Sequence, residues 1–308
     1  MRAAGFYSFG SPEMLELIEI ETPQAGAGEV RIRVKAAGVQ PVDCAVRNGF
    51  SPPGVTITFP HVTGGEFAGV IDQIGEGVTY FAVGAEVLGF RLQFTYAEYV
   101  VVPVNQIVAK PDTMPWEVAG GLSGAGQTAH TAMAELRVGK GDTVLINGAA
   151  GGVGTVAVQV ARARGAAVIG TASEANQEYL RSLGAIPVIY GAGLIDRVRA
   201  LAPNGVDAAL DAAGEEGLRV AAELVKDKDR VGTIVAFQLT EELGVRWIRS
   251  NRSASRLAEL VQLYSEGKLR IHIRNTYPLS QASAAHREVE TGHGRGKVVL
   301  MIESITKS

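Results

Sequence analysis

The stretch Asn147-Gly148-Ala149-Ala150-Gly151-Gly152-Val153-Gly154 has the residue types and spacing to hold a phosphate. An apolar run, Thr143-Val144-Leu145-Ile146, precedes it, and a segment over 152–164 with helical character follows. At such a strand–loop–helix junction Gly151 lets the backbone approach a pyrophosphate and Gly154 lets helix and strand pack closely. The N–H groups around Ala150, Gly151, Gly152 and Val153, at the positive end of the helix dipole, are the expected anion donors. Ala149 replaces the first glycine of G-x-G-x-x-G, so the motif draws its weight from the elements around it. It points to a dinucleotide.

The next apolar run, 166–171, ends in Thr171-Ala172-Ser173-Glu174. An NAD site usually places Asp or Glu at that end, on the ribose 2′-hydroxyl. With Ala172 and Ser173 there, no carboxylate repels a 2′-phosphate, and Ser173 and Asn176 offer it hydrogen bonds. No Arg or Lys lies between 165 and 180 to neutralise it. The balance favours NADPH over NADH.

Few other residues invite chemistry. His130 can serve as a proton donor near neutral pH or simply fill an aromatic slot. Asp43 suits a helix start, and His61 a packing role. Cys44 is the only cysteine. One thiol makes no intramolecular disulfide and no Cys-rich structural zinc site, and with Arg47 as its one nearby cation it reads as inert. Arg246, Arg249, Arg252 and Arg256 form a loose basic cluster, read as a solvated face.

Composition narrows the class. The 29 Lys and Arg against 32 Asp and Glu leave a net charge of −3 without a basic block, which argues against nucleic acid as a partner. The chain is 46% apolar, enough for a large core. Its longest apolar stretch, 153–170, is broken by Gln159, Arg162 and Arg164, short of the ~20 residues that cross a bilayer. No membrane span and no leader peptide are expected, and a cytoplasmic protein is the default reading.

Two textures alternate along the 308 residues. Up to about residue 110 the chain reads as short strands and glycine-rich turns: 29–35 alternates charged and apolar residues, and 69–75, 84–89 and 96–103 follow. These suggest a small barrel-like β-domain. From Trp116, helices alternate with buried strands: strands at 143–147, 166–171, 186–190, 206–211 and 230–237, helices at 152–164, 175–183, 194–201, 215–225 and 253–266. That alternation implies an α/β, Rossmann-type doubly wound parallel sheet with helices on both faces. The last ~35 residues return to a strand, 297–302, and a helix, 280–291. Small residues at Gly124, Ala125, Gly126 and Ala129 suggest an open floor beneath a substrate.

Four stretches resemble one superfamily: Ala37-Gly38-Val39-Gln40-Pro41-Val42-Asp43, Gly64-Gly65-Glu66-Phe67-Ala68-Gly69-Val70, the phosphate loop, and Gly292-His293-Gly294-Arg295-Gly296-Lys297-Val298-Val299-Leu300. On these residues the chain resembles the zinc-free quinone oxidoreductase branch of the medium-chain dehydrogenase/reductases along essentially its whole length. The resemblance implies a GroES-like catalytic domain built from both termini, 1–115 and 273–308, around a nucleotide-binding domain, 116–272. Zinc-using relatives carry Cys where this chain has Gln40 and His where it has Gly65, so no zinc is expected. Glu66, which stands behind the metal in those relatives, would here be a buried structural acid.

The resemblance also implies a substrate cleft lined by Gln40, Asp43, Phe50, His61, Phe94 and the 126–130 segment, with Gln40 and His130 as candidate catalytic groups. It places Thr128, Tyr190, Ala213, Ala236, Phe237 and Lys297 at the cofactor, beside Ala150, Gly151, Gly152, Val153, Ser173 and Asn176. It implies a homodimer paired through the edges of two nucleotide domains. The expected activity is hydride transfer from NADPH to a quinone or enone. An enoyl or alkenal double-bond reductase is one alternative; an NADPH-binding redox sensor or structural protein with little turnover is the other.

Overall fold

The computed structural model describes residues 1–292 and 294–303; His293, part of the last resemblance motif, lies outside them. The chain divides into two units. Unit 1 comprises Met1–Gly124, Arg252–Ser265 and the described residues from Ile273 onward; unit 2 comprises Ala125–Asn251 and Glu266–His272.

Unit 1 is organised by the long strand Glu29–Val39. Its first half alternates as expected, with Val30, Ile32 and Val34 inside and Arg31, Arg33 and Lys35 partly exposed. The strand then runs past the expected end at 35 through Ala36-Ala37-Gly38-Val39, all buried. Alternation stops there because both faces are covered: Gly120 packs on Ala36, and the Glu66 side chain lies over Gly38. Antiparallel partners are Glu66–Ile74, Tyr99–Pro103 and Lys297–Met301. The sheet runs in the order Ile273–Pro278, Lys297–Met301, Glu29–Val39, Glu66–Ile74, Glu86–Phe90, Ile107–Ala109. A smaller sheet pairs Glu16–Glu19, Arg2–Phe6 and His61–Val62. Phe6, Ile32, Phe67, Val100 and Leu300 are among the fully buried side chains of the core.

Unit 2 holds six parallel strands: Thr143–Asn147, Ala167–Ala172, Ile186–Ile189, Ala208–Asp211, Val231–Thr233 and Arg246–Trp247. In space they lie third, second, first, fourth, fifth, sixth, the doubly wound order. The first strand, between the second and the fourth, therefore marks the crevice where such sheets bind ligands. The strand expected over 230–237 stops at Thr233. There the Thr233 hydroxyl accepts the N–H groups of Val235 and Ala236 (3.1 and 3.0 Å), bending the chain into the short helix Phe237–Leu239. The helix expected over 175–183 starts as the 3₁₀ turn Glu174–Asn176 before Gln177–Ser182. Among the described residues no helix is long and apolar enough to cross a membrane.

Candidate active site

In unit 2 the loop after Thr143–Asn147 is pinned from both sides. The Ala149 N–H donates to the Thr171 carbonyl (3.0 Å), the Gly148 N–H to the Thr171 hydroxyl (3.2 Å), and that hydroxyl to Asn147 Oδ1 (3.2 Å). Gly148 has φ +70°, and a β-carbon on it would also press on the Ala212 carbonyl. The first bond of the helix Gly152–Ala163 runs from the Thr155 N–H to the Gly151 carbonyl. The N–H groups of residues 152–154 thus stand ahead of the helical ladder. The Gly151 N–H, expected as an anion donor, closes the turn onto the Gly148 carbonyl instead (3.1 Å).

The glycines of this loop serve different ends. A β-carbon on Gly154 would fall 2.6 Å from the Ala149 α-carbon, so this glycine sets the approach of helix to strand. One on Gly151 would meet only the Gly148 carbonyl at 3.4 Å, so the protein itself leaves that space unfilled. A pyrophosphate fits such a place.

The other expected cofactor residues divide. Ser173 and Asn176 come together, the Asn176 amide donating to the Ser173 hydroxyl at 3.1 Å. Tyr190 is exposed beside a turn that Arg197 holds by the carbonyls of Ile189 and Gly191. Ala236 is buried, while Phe237 is half-exposed and stacks on Trp247 with 5.1 Å between ring centroids. Ala213 is exposed, and its N–H, with that of Gly214, donates to Asp211 Oδ1. Thr128 and His130 lie on the helix Trp116–Glu135, His130 buried.

The resemblance set the loop 211–214 beside the cofactor and Asn147 at the head of the phosphate loop, but sequence reasoning gave no role to the side chains of Asn147, Thr171, Asp211 and Thr233. Thr233 donates to Asp211 Oδ2 at 2.7 Å, and Asn147 donates to the Gly217 carbonyl at 2.7 Å. Burial pushes the Asp211 carboxyl above its ordinary value against the donors from Thr233, Gly214 and Ala213. The available signal was a polar residue closing each of four buried apolar strands.

Unit 1 gathers a second set of groups. Glu66 is fully buried; its Oε1 accepts from the Lys297 ammonium (2.9 Å) and the Gln40 amide, and its Oε2 from the Gly124 N–H (2.6 Å). Lys297, expected at the cofactor, is buried and also donates to the Val39 carbonyl (3.3 Å). Gly124, read from sequence as part of an open floor, has another use: a β-carbon there would run into the Gln40 amide. Gln40 starts the helix Pro41–Arg47, and its backbone N–H donates to Asp43 Oδ2 at 2.8 Å. Asp43 therefore braces the helix start as expected, and the Tyr96 hydroxyl donates to the same oxygen (2.8 Å). Burial raises the Asp43 carboxyl to about 6 despite both donors.

Glu66 is thus the buried structural acid that the resemblance implied. His61 packs edge-on against Phe6 at 5.4 Å, and Cys44 is buried with its thiol pushed up by burial. Arg252, read as part of a solvated face, instead donates from Nη1 to the Gly65 carbonyl at 2.7 Å. The place beside Gly65 where zinc-using relatives carry His is held by this guanidinium, 3.2 Å from where a β-carbon would stand. Among the described residues no group of three or more His, Cys, Asp or Glu side chains is placed to hold a metal ion.

Comparison with known proteins agrees with this layout. The family model described as alcohol dehydrogenase GroES-like domain matches residues 26–112, and that described as zinc-binding dehydrogenase matches 183–300. The chain is 30% identical to the quinone oxidoreductase of Rattus norvegicus, covering 98% of each. It is 31% identical to the 2-haloacrylate reductase of a Burkholderia species, covering 97% of this chain and 98% of that one. A mycobacterial protein solved as a complex with NADPH superposes with a TM-score of 0.86 at 29% identity, over 98% of this chain and all of that one. Helical and strand layout, nucleotide loop and full-length similarity together make the chain an oxidoreductase that binds a nicotinamide cofactor, and it belongs to the quinone oxidoreductase branch of the medium-chain dehydrogenase/reductase superfamily.

Proposed function

We propose that this protein is an NADPH-dependent reductase that works without zinc and delivers hydride to a quinone or an activated alkene. The observation that carries the reading is the closure of Glu66 by Lys297 and Gln40. A carboxylate bound by an ammonium, an amide and a backbone N–H has three of its four lone-pair sites taken and its charge already balanced, which disfavours a role in orienting a metal ligand. The neighbouring ligand positions hold an amide and a glycine, a donor set unlike the His, Cys and carboxylate sets that bind zinc. An acceptor that delocalises its own developing charge needs no Lewis acid, only positioning and a hydrogen bond or two.

The nicotinamide, when bound, supplies the hydride from its C4. The chain's part is to hold the pyrophosphate over Gly151 with the N–H groups at the start of the helix Gly152–Ala163. Ser173 and Asn176 receive the 2′-phosphate. Thr128, Ala150, Val153, Tyr190, Ala213, Ala236 and Phe237 complete the cofactor contacts, and Gln40 and His130 are the candidates for contact with substrate. Lys297 acts through Glu66, keeping Gln40 in place. NADPH rather than NADH is supported by the missing carboxylate at Ser173 and by the NADPH complex of the mycobacterial relative. The relative named for a haloacrylate supports the activated alkene as acceptor. A cytoplasmic homodimer paired through the edge strand Arg246–Trp247 completes the reading.

Stopped-flow oxidation of NADPH by 1,4-benzoquinone and by methyl vinyl ketone, in EDTA-treated protein, tests it. Turnover of either acceptor, unaltered by chelation, is expected. Oxidation of neither would leave a binding-only protein, and loss of activity on chelation would restore a metal.

A further inference from the structure

Asn147, Asp211 and Thr233 end the first, fourth and fifth strands of the unit 2 sheet. They stand side by side there, Asp211 in register with Asn147 on one neighbour and with Thr233 on the other, and all three are buried. Asp211 Oδ2 accepts the Thr233 hydroxyl, and Oδ1 accepts the N–H groups of Ala213 and Gly214. The Thr233 hydroxyl in turn accepts the N–H groups of Val235 and Ala236. Ala212 and Ile234 donate to the Asn147 and Asp211 carbonyls, both at 3.1 Å. Every N–H of 212–214 and 234–236 is thereby tied back to the strand ends, and two turns from different strands are fixed by one buried pair of side chains. A β-carbon on Gly217 would fall 3.0 Å from both the Asn147 amide and the Asp211 carboxylate, so glycine lets the helix Glu215–Leu224 come down over the pair.

A carboxyl group withdrawn from water is a costly brace for two turns, and the place of the turns supplies its use. A dinucleotide lies across the carboxyl ends of such a sheet at the first strand. With the pyrophosphate over Gly151 and the 2′-phosphate at Ser173, beyond the second strand, the other half of the molecule extends over the fourth and fifth strands, where these turns stand. Their N–H groups are taken, and among the described residues the carbonyls of Ala213, Ile234 and Val235 accept no hydrogen bond. Carbonyl oxygen repels a phosphate and accepts the NH2 of a carboxamide. We propose that Asp211 and Thr233 are positioning residues for the nicotinamide: they do not touch it, but hold the turns 212–214 and 234–236 in the arrangement that receives its carboxamide. The inference deepens the reductase reading and rests on its cofactor assignment.

Calorimetric titration compares NADPH with 2′-phospho-ADP-ribose, the same dinucleotide without its nicotinamide. Thr233→Val strands two backbone N–H groups and one Asp211 oxygen. NADPH affinity should fall at least about tenfold in that variant, while affinity for 2′-phospho-ADP-ribose stays within about twofold of wild type. Thr233→Ser, which keeps the hydroxyl, should restore NADPH binding. A merely structural pair predicts an equal loss of both ligands; that result, no loss of either, or a Thr233→Ser protein as impaired as Thr233→Val overturns the proposal. Should Thr233→Val not fold, Asp211→Asn reads the same split, because an amide can serve the Thr233 hydroxyl or the two N–H groups but not both. Failure of both variants to fold makes the pair a brace for the sheet alone and overturns the proposal as well, as does a wild type that binds no NADPH. The reductase reading fails separately: NADPH bound with this split, yet oxidised by neither 1,4-benzoquinone nor methyl vinyl ketone, upholds the positioning and refutes the activity.

Discussion

The Lys297 ammonium sits 2.9 Å from the Glu66 carboxylate, and both side chains are withdrawn from solvent. Removing one member leaves the other charge buried without its partner, at a cost of about 3–5 kcal/mol. Lys297→Met and Glu66→Gln should each lose roughly that much in urea unfolding. The double variant should lose less than the sum of the two, because neither charge is then stranded.

The loop glycines separate stability from binding. Gly151→Ala should unfold at the wild-type urea midpoint while NADPH affinity drops about tenfold, or ~1.4 kcal/mol. Gly154→Ala should do the reverse in kind, losing about 1–3 kcal/mol of stability through the clash with Ala149. Identical behaviour of the two variants would mean that neither glycine has been read correctly.

Fluorescence titration should find NADPH bound more tightly than NADH. Ser173→Asp places a carboxylate where the 2′-phosphate is received, and should weaken NADPH about tenfold with little effect on NADH. Equal affinities of the wild-type protein for the two cofactors would refute the serine argument.

Tyr96 touches two groups that titrate in opposite senses: it donates to Asp43 and packs edge-on against His286, 5.8 Å between ring centroids. Asp43 is raised by burial from 3.8 to about 6, so between those values the folded state holds more protons and stability falls as pH rises. His286 is lowered by burial from 6.5 to about 3, so over that window the unfolded state holds more protons and stability rises with pH. Each effect is of order 3–5 kcal/mol across its window, and in wild type they oppose. Unfolding free energies from pH 4 to 6.5 should climb more steeply in Asp43→Asn and fall with pH in His286→Gln.

The sheet of unit 2 was legible because buried parallel strands read as unbroken apolar runs and helices fall between them at regular intervals. The fifth strand was drawn four residues too far at its end: Ile234-Val235-Ala236-Phe237 look like strand, but the Thr233 hydroxyl accepts the N–H groups of Val235 and Ala236 and ends it. The phosphate loop announced itself through glycine spacing. The polar cluster of unit 1 did not, since its members lie at 40, 66, 124, 252 and 297, and only chain pairing brings them together. Arg252 was misread for the same reason: an arginine in a polar stretch looks solvated until the backbone carbonyl it bonds, 187 residues away, is known.

The strand Lys297–Met301 pairs with Glu29–Val39 and carries the cation that neutralises Glu66, 231 residues upstream. A chain emerging from the ribosome therefore makes a carboxylate destined for burial long before its counter-ion exists. The six-stranded sheet of unit 2 needs nothing beyond Trp247 for its strands, so it can close first while the β-sheet waits. That strand is then the latch of synthesis: unit 1 cannot bury its central acid until Lys297 has been made.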